Sequence, residues 1–401
     1  PVHAWACREV YRRLKEGGEQ DLDFLEQAFH KLLINFTWWV NRKDPKGRNI
    51  FSGGFLGLDN IGAFDRSHPP PGMETLEQAD GTAWMAFTCA VMLDMALEIA
   101  KYRPAYDGIA SKFFEHFMTI ADAMNHLGGE GLWEEDDGFY YDHIRCDGKS
   151  KHLRIRSVVG LIPLYAVLVL EDDVIGRLGG FRQRVEWFLN FRRDVVQTIS
   201  WKADPEGRRL HLLAIPTRER LERVLRFVFD ETEFLSPFGI RSLSRYHERH
   251  PFEMEVQGRT HRVAYLPGES HSGMFGGNSN WRGPIWFPVN FLLIESLRIY
   301  DRFYGSSFQV EVPTGSGVWM TLAEAADELS HRLIRLFLPG RMGRPCHGES
   351  TLYASDPNFQ DLILFFEYFH ADNGRGCGAS HQTGWTGLAA SLLASSSGRD
   401  I

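Results

Sequence analysis

Residues 22–40, LDFLEQAFHKLLINFTWWV, carry the pattern that decides the fold of this chain. Apolar side chains recur there at intervals of three and four residues. They are Leu22, Leu25, Phe29, Leu32, Phe36 and Trp39. Because an α-helix turns once in about 3.6 residues, this spacing brings them onto one side. The stretch therefore predicts a long amphipathic helix.

Other stretches repeat the helical period with different apolar faces. Residues 83–102 are apolar on nearly every side, which predicts a helix that several neighbours bury. Another stripe predicts a helix and comprises Phe113, Phe114, Phe117, Ala121 and Met124. Further helices are predicted at about 3–15, 158–171, 181–199, 217–228, 285–303, 319–338, 357–370 and 384–395.

Strand signals are few. The Asp147-Gly148 pair lies between two partly alternating runs, 138–145 and 152–157, which predicts a β-hairpin. Residues 209–215 and the two runs that flank Gly258 are predicted as short strands. We expect these strands to be additions to a helical frame.

The mixture of helix types predicts the architecture. About ten or eleven helices are expected, some apolar throughout and some amphipathic. An inner ring of buried helices inside an outer ring of amphipathic ones would produce that mixture. We therefore predict an all-α fold, an (α/α)6 barrel with small β-hairpin insertions, and an irregular helical array is the alternative.

The domain organisation follows from what interrupts the helices. No Pro-, Gly- or Ser-rich linker divides the chain, so 1–401 is predicted to be a single catalytic domain. The polar segment at about 200–280 is the nearest thing to an insertion. The chain starts without Met, in a helical pattern, so we expect it to lack its first barrel helix and to be part of a larger protein.

Composition and charge exclude several classes of protein. The 401 residues include 44 Lys plus Arg and 52 Asp plus Glu, a formal net charge of -8. The hydrophobic fraction of 43% excludes a disordered chain, and the lack of a basic excess argues against nucleic-acid binding. No window reaches 18 uncharged apolar residues, so no membrane partner is predicted.

Cysteine usage predicts the compartment. The five cysteines are widely scattered, with no CxxC spacing, and are Cys7, Cys89, Cys146, Cys346 and Cys377. This pattern is typical of reduced thiols rather than of a disulfide framework or a zinc site. The N-terminus also lacks the basic and apolar regions of a signal peptide. We therefore expect a cytoplasmic protein.

Aromatic residues make up 13% of the chain. One interpretation is a large core, since aromatic side chains bury much surface. The other is a carbohydrate site, because aromatic rings stack on the apolar faces of sugars. Composition alone leaves these two open.

The first candidate site lies in the long connection 41–75. Residues 51–66, FSGGFLGLDNIGAFDR, set Asp59 and Asp65 among aromatics and glycines. Apolar surroundings disfavour a charged carboxylate and raise its pKa, which a general acid requires. The alternative is that Asp59 caps a turn and Asp65 pairs with Arg66.

The second candidate site is the segment 279–286, SNWRGPIW, which enters a predicted helix. Trp281 and Trp286 flank Arg282, an arrangement that suits a sugar platform with a polar clamp. The alternative is that the two tryptophans only pack between helices.

The third candidate site is the glycine-rich stretch 366–385. Glu367 follows an apolar run at the end of a predicted helix, where a carboxylate without a function is uncommon. The alternative is a structural carboxylate neutralised by Arg375. No HExxH, phosphate-binding, dinucleotide-binding or GxSxG pattern occurs, so no metal and no cofactor is predicted.

These three segments resemble glycoside hydrolase family 63. Residues 280–286 match that family's Trp-Arg-Gly-Pro-Ile-Trp segment, residues 54–59 resemble its Gly-Phe-Leu-Trp-Asp motif, and 366–388 resemble its C-terminal signature. The resemblance implies an (α/α)6 barrel and an inverting α-glucosidase-like hydrolase. It also implies that Asp59 is the general acid and Glu367 the general base, with Asp65 as a rival for the acid.

The resemblance also implies a carbohydrate pocket, for a small α-glucoside or an oligosaccharide. The residues expected to line it are Phe55, Asp65, Arg66, Trp84, Trp281, Arg282, Trp286, His381, Gln382 and Trp385. An inverting mechanism places the two carboxyl groups about 6.5–9.5 Å apart, with room for a water molecule.

Two other functions stay open. A different barrel enzyme, such as a sugar epimerase or a polysaccharide lyase, would favour a histidine pair or several basic residues in the pocket. A catalytically inactive carbohydrate-binding domain would keep the aromatics, and binding without turnover would support it.

Overall fold

The computed structural model describes residues 2–41, 47–51, 57–68, 70–73, 75–125, 131–146, 149–191, 199–203, 207, 209–273, 277, 279–340 and 343–396. The chain divides into two compact units. The first comprises Pro1–Leu56, Glu74–Leu153 and Val159–Leu221. The second comprises Gly57–Met73, Arg154–Val158 and Glu222–Ile401.

The first unit contains six α-helices, in the part of the chain that the structure describes. They are α1 (His3–Glu16), α2 (Leu22–Val40), α3 (Ala79–Ala100), α4 (Asp107–Asn125), α5 (Asp172–Arg177) and α6 (Gly179–Phe191). The first four confirm the predicted helices closely. The helix predicted at 181–199 is α6, although it begins earlier and the segment 192–198 lies outside the described residues.

The stripe of α2 shows why this helix forms where predicted. The Asp21 side chain accepts a hydrogen bond from the Phe24 amide at 2.8 Å, which satisfies a free donor at the helix start. Leu25, Phe29 and Phe36 are buried, and the Phe29 ring packs edge-on against Phe113 of α4 at 5.9 Å. Burial of the apolar face therefore holds α2 in place.

Helix α3 is buried on almost every side, as its composition predicts. Among the described helices it alone is long and apolar enough to cross a bilayer. However, 83% of its most apolar window is buried inside the protein, and the core helix of a globular domain meets the same criterion.

The strands of the first unit form three small antiparallel sheets in the described residues. They are β1 (Thr75–Glu77), β2 (Trp133–Glu134), β3 (Phe139–Tyr140), β4 (Asp142–Cys146), β5 (Lys149–Leu153), β6 (Val167–Glu171), β7 (Ile199–Ala203) and β8 (Arg209–Ala214). Strands β4 and β5 confirm the predicted hairpin, and β8 confirms the strand predicted at 209–215. The Asp147-Gly148 turn lies outside the described residues.

The helix predicted at 158–171 is wrong. This apolar run forms two short 3-10 turns, Val158–Gly160 and Ile162–Tyr165, and then strand β6, which pairs with β8. Pro163 breaks the helix, and the Val-rich end suits a buried strand. A run that is apolar throughout carries no period to distinguish the two structures.

The remaining α-helices of the described chain lie mainly in the second unit. They are α7 (Arg218–Val228), α8 (Phe287–Tyr304), α9 (Leu322–Arg335), α10 (Thr351–Ser355), α11 (Thr383–Thr386) and α12 (Ala389–Ser396). Helices α7, α8 and α9 confirm the predictions. Helix α9 starts at a capping box, in which Thr321 and Glu324 satisfy each other's free backbone donors.

The helix predicted at 357–370 is also wrong. The segment runs as turns and extended chain into a strand, Tyr368–Phe369. The Phe369 backbone pairs with Ile285, a residue far away in the sequence, and this pairing holds the end of the segment extended. Glu367 therefore precedes a strand instead of ending a helix.

The other strands make the fold less purely α-helical than predicted. They are β9 (Leu235–Ser236), β10 (Gly239–Ile240), β11 (Phe252–Val256), β12 (Arg259–Val263), β13 (Gln309–Glu311), β14 (Trp319–Thr321), β15 (Tyr368–Phe369) and β16 (Gly376–Cys377). Strands β11 and β12 confirm the runs that flank Gly258. Their turn is tight because Gln257 and Gly258 both have positive φ angles, 50° and 73°.

Candidate active site

Asp59 lies in a turn of the segment 57–68, in the second unit. Its half-buried carboxylate accepts a hydrogen bond from the Ser279 hydroxyl. Within the described residues it forms no ion pair. In the described part of the chain, the carboxylate is therefore held by a neutral hydroxyl and not by a cation.

Asp65 has a different environment from the one predicted. Its carboxylate accepts a hydrogen bond from the Ser67 amide at 2.8 Å and contacts His68 Nδ1 at 3.0 Å, and does not pair with Arg66. Burial pushes its pKa upward, but the hydrogen bonds from His68 and Ser67 outweigh burial and lower the pKa. The expected raised pKa is therefore wrong for Asp65, and this argues against it as a general acid.

Arg282 holds the segment that carries Asp59. Its Nε donates to the Asn60 carbonyl at 2.6 Å, and its Nη2 donates to the Gly62 carbonyl at 2.9 Å. Burial lowers the pKa of this guanidinium. The planar guanidinium directs two donors at two carbonyls of the same loop, so it clamps the loop backbone.

Two buried asparagines strengthen the clamp. The side-chain nitrogen Nδ2 of Asn60 donates to Asn280 Oδ1 at 3.0 Å. The backbone amide of Trp281 donates to Asn60 Oδ1 at 2.7 Å. Asn280 Nδ2 donates in turn to the carbonyl of Gly268 at 2.7 Å. The segment around Asn60 is thus fixed to two segments, around Gly268 and Asn280, that lie some 200 residues further along the chain. The sequence interpretation missed Asn60, whose only signal is a polar residue directly after Asp59.

The tryptophans of 279–286 form a buried stack. The rings of Trp281 and Trp286 lie 3.8 Å apart at 4°, and Trp286 lies 4.7 Å from Tyr368 at 22°. Trp281 and Trp286 are only 3% and 1% exposed. The exposed aromatic is Trp385, which contacts Trp286 at 5.4 Å and is 36% exposed. Trp281 and Trp286 therefore pack inside the protein, as the alternative interpretation of this segment expects.

Glu367 is fixed by the hairpin that follows it. Its amide donates to the Ala379 carbonyl at 2.8 Å, and its Oε2 accepts from the Ala379 amide at 3.2 Å. Gly378 lies against it with φ +67°, and a Cβ there would approach Glu367 Oε2 to 2.6 Å. Glycine is required at this position for both reasons.

Arg375 does not neutralise Glu367. It forms a bidentate ion pair with Glu269, with N–O distances of 2.7 and 2.8 Å. The hydrogen bonds from Arg375 hold the pKa of Glu269 down to about 2. Glu367, like Asp59, has no ion pair among the described residues. The alternative of a structural Glu367–Arg375 pair is therefore wrong.

The second and third sequence motifs join through the backbone. Ile285 and Phe369 exchange hydrogen bonds of 2.8 and 2.9 Å. Trp286, which follows Ile285, contacts Tyr368, which precedes Phe369 and follows Glu367. The segments that carry Asp59, Arg282 and Glu367 are therefore one hydrogen-bonded assembly within the second unit.

The other predicted site residues lie at several places. His381 is exposed and pairs through its backbone with Phe365. The backbone N–H of Gln382 donates to the Phe365 carbonyl at 2.7 Å. Arg66 is buried, at 9% exposure. Trp84 belongs to the first unit, where it is 5% exposed and packs edge-on against Phe87 and Tyr165. Phe55 lies outside the described residues.

Part of the chain is similar to a known family of enzymes. Residues 210–386 match the model of the mannosylglycerate hydrolase MGH1-like glycoside hydrolase domain. This part of the chain is therefore similar to a glycoside hydrolase domain, the class that the three motifs predicted. The match begins inside the segment 200–280, which the sequence interpretation treated as an insertion.

The relatives in sequence are yeast proteins. The uncharacterized Saccharomyces cerevisiae protein YMR196W is 54% identical over 98% of this chain, and the chain spans 38% of its length. The mannosyl-oligosaccharide glucosidase of the same organism is 23% identical over 43% of this chain, and 15% of that enzyme is covered.

A solved structure shares the fold. The family 63 mannosylglycerate hydrolase from Thermus thermophilus, in complex with Tris and D-glycerate, aligns with a TM-score of 0.54. The alignment covers 98% of this chain and 77% of that one, at 15% identity. This likeness establishes the fold.

Proposed function

We propose that this chain is an inverting glycoside hydrolase that cleaves an α-glycosidic bond, with α-glucosides as the first substrate class. Asp59 is the general acid and Glu367 the general base, on an (α/α)6 barrel. One observation carries the proposal. The two carboxylates lack cationic partners among the described residues, and the clamp of Arg282 and the stack of Trp286 on Tyr368 fix the segments that bear them.

The chemistry needs two carboxyl groups in opposite protonation states. Protonated Asp59 gives its proton to the glycosidic oxygen as the bond to the anomeric carbon breaks. Ionised Glu367 takes a proton from the water that attacks the opposite face of the sugar. A nearby cation would stabilise the ionised form of either group, so an unpaired carboxylate suits the acid role.

The sugar is proposed to lie against the accessible side chains near Glu367. Trp385 offers an exposed ring, and His381 and Gln382 supply polar groups for hydroxyls. Trp281 and Trp286 would support this surface from below, since their rings are buried. Phe55, Asp65, Arg66 and Trp84 remain proposed substrate-binding residues.

The names of two relatives guide the substrate panel. One relative is a mannosyl-oligosaccharide glucosidase and one a mannosylglycerate hydrolase. The panel therefore contains 4-nitrophenyl α-glucoside, 4-nitrophenyl α-mannoside, mannosylglycerate and glucosylated oligosaccharides. The anomer released first, followed by proton NMR, distinguishes inversion from retention.

Two variants test the assignment of roles. Asp59→Asn and Glu367→Gln are each expected to lower kcat by about two orders of magnitude or more, with an unchanged melting temperature. Asp173→Asn is the control, since Asp173 is exposed on α5 and pairs with Arg177, and this variant should keep the wild-type activity. Near-normal turnover by either of the first two variants would remove that residue from the mechanism.

We also propose a reducing compartment for this protein, in agreement with a cytoplasmic location. Four cysteines are free thiols in the structure: Cys7, Cys89, Cys346 and Cys377. Burial raises the pKa of the Cys346 and Cys377 thiols to about 12, which keeps them protonated. Cell fractionation of the tagged full-length protein tests this placement.

A further inference from the structure

Ser279 is a buried polar residue that the catalytic scheme has not used. It is 8% exposed, and its hydroxyl donates to Oδ2 of Asp59. Among the described residues Asp59 is its only side-chain hydrogen-bond partner. A buried hydroxyl directed at one carboxylate oxygen fixes the rotation of that carboxylate.

The backbone beside Ser279 is itself firmly placed. Asn280 is fully buried and donates to the carbonyls of Leu266 and Gly268 at 2.9 and 2.7 Å. Its own side-chain oxygen accepts from Asn60, the residue that follows Asp59. Ser279 directly precedes Asn280, and Asp59 directly precedes Asn60. The hydrogen bond between the two asparagines therefore fixes the backbone beside both partners of the Ser279–Asp59 contact.

We propose that Ser279 is a positioning residue for Asp59, a role that rests on the general-acid function proposed above. The hydrogen bond occupies Oδ2, so the transferable proton is carried by Oδ1. In the reaction, that proton moves to the glycosidic oxygen, which also takes the electron pair of the breaking bond. Asp59 becomes a carboxylate and keeps its hydrogen bond from Ser279, while the oxygen of the attacking water bonds to the anomeric carbon and the water gives one proton to Glu367.

A positioning role predicts a dependence on the leaving group. An alkoxide must be protonated as it departs, so it needs a correctly oriented acid. Fluoride departs without protonation and does not need one. A loss of orientation at Asp59 should therefore slow the hydrolysis of an alkyl glycoside and spare that of a glycosyl fluoride.

The test compares methyl α-glucoside with α-glucosyl fluoride, using the full chain. Ser279→Ala is expected to lower kcat on methyl α-glucoside by about tenfold and to change the rate on the fluoride by less than about twofold. Ser279→Thr keeps the hydroxyl and should restore most of the lost rate. Asp59→Asn is measured in parallel, and thermal melts report the folding of each variant.

Each result decides between the proposals. Equal losses on the two substrates would make Ser279 a purely structural residue and overturn its positioning role. If Ser279→Ala loses nothing while Asp59→Asn loses the methyl glucoside activity, the positioning role fails and the general acid stands. If Asp59→Asn keeps that activity, the general-acid assignment fails and the role of Ser279 fails with it.

Discussion

The Nε atom of Arg282 donates to the carbonyl oxygen of Asn60 at 2.6 Å, and Asn60 directly follows Asp59 in the chain. A second donor of the same guanidinium reaches the Gly62 carbonyl. The arginine thereby fixes the backbone of the residues that directly follow Asp59, the candidate general acid. The strength of this clamp comes from two donors held in one plane, which a lysine does not have.

Arg282→Lys is expected to retain the positive charge and to lose the pair of coplanar N–H donors that bind the Asn60 and Gly62 carbonyls. We expect kcat to fall by at least about tenfold, because the loop that carries Asp59 loses its second anchor. The free energy of unfolding should fall by about 2 kcal/mol, since the carbonyl of Asn60 or of Gly62 is left without this donor. Steady-state kinetics and urea denaturation measure the two effects.

Arg259→Lys is the matched control for this substitution. Arg259 is exposed on strand β12 of the same unit. An exposed arginine contributes little to stability, so this variant should resemble the wild type in both measurements. If Arg282→Lys does so too, the clamp does not position the loop.

Gly378→Ala is expected to displace Glu367. The new Cβ would meet Glu367 Oε2 at 2.6 Å, and the positive φ of Gly378 adds backbone strain. We expect a fall of kcat by at least about tenfold, with a loss of stability of about 1–2 kcal/mol. Kinetics on the best substrate of the panel, together with a thermal melt, check this result.

Gly317→Ala separates strain from displacement. Gly317 also has a positive φ, +79°, but a Cβ there has nothing within 4 Å. This variant should share the loss of stability and keep its activity. Equal kinetic effects in the two variants would show that strain, and not the position of Glu367, lowers the rate.

The strongly periodic helices of this protein could be predicted from the sequence, and the long apolar runs could not. In α2 the spacing of the apolar residues alone defines a face. In 158–171 and 357–370 the apolar residues are dense but do not recur at a helical or strand period. Their secondary structure therefore depends on which other segments of the chain pair with them. Strand β6 forms because β8 pairs with it, and Tyr368–Phe369 is extended because Ile285 pairs with Phe369.

The same distinction applies to the candidate site. Asp59, Arg282 and Glu367 stand in recognisable local motifs, so a sequence interpretation could select them. The partner of Arg375 is Glu269, 106 residues away, and that of Asp59 is Ser279, 220 residues away. No local pattern encodes such pairs, because they exist only once the chain has folded.

The Glu269–Arg375 pair predicts a dependence of stability on pH. The pKa of Glu269 is lowered from 4.5 to about 2, chiefly by the hydrogen bonds from Arg375. A lowered folded-state pKa adds stability above the unfolded value, and this is lost as the pH falls through the interval from about 4.5 to about 2. We therefore expect Glu269→Gln to lower the melting temperature at pH 7 and to have a shrinking effect at lower pH.

The size of this effect should be modest, because the Glu269 side chain is 50% exposed and water screens the pair. Glu253→Gln is the control, since Glu253 contacts Arg262 on an exposed hairpin at 3.3 Å. A melting-temperature difference for Glu269→Gln that stays constant from pH 7 to pH 3 would contradict the prediction.

Trp385→Ala is expected to weaken substrate binding without destabilising the fold. Trp385 exposes 36% of its surface, whereas Trp286, which it contacts, exposes 1%. An exposed ring that stacks on a sugar contributes to affinity, so KM should rise by about tenfold while kcat changes less. Trp286→Phe provides the contrast, because it removes the buried hydrogen bond from Nε1 to the Asn280 carbonyl at 2.8 Å. That variant should lose about 2 kcal/mol of unfolding free energy. An unchanged KM in Trp385→Ala would mean that the sugar lies elsewhere in the unit.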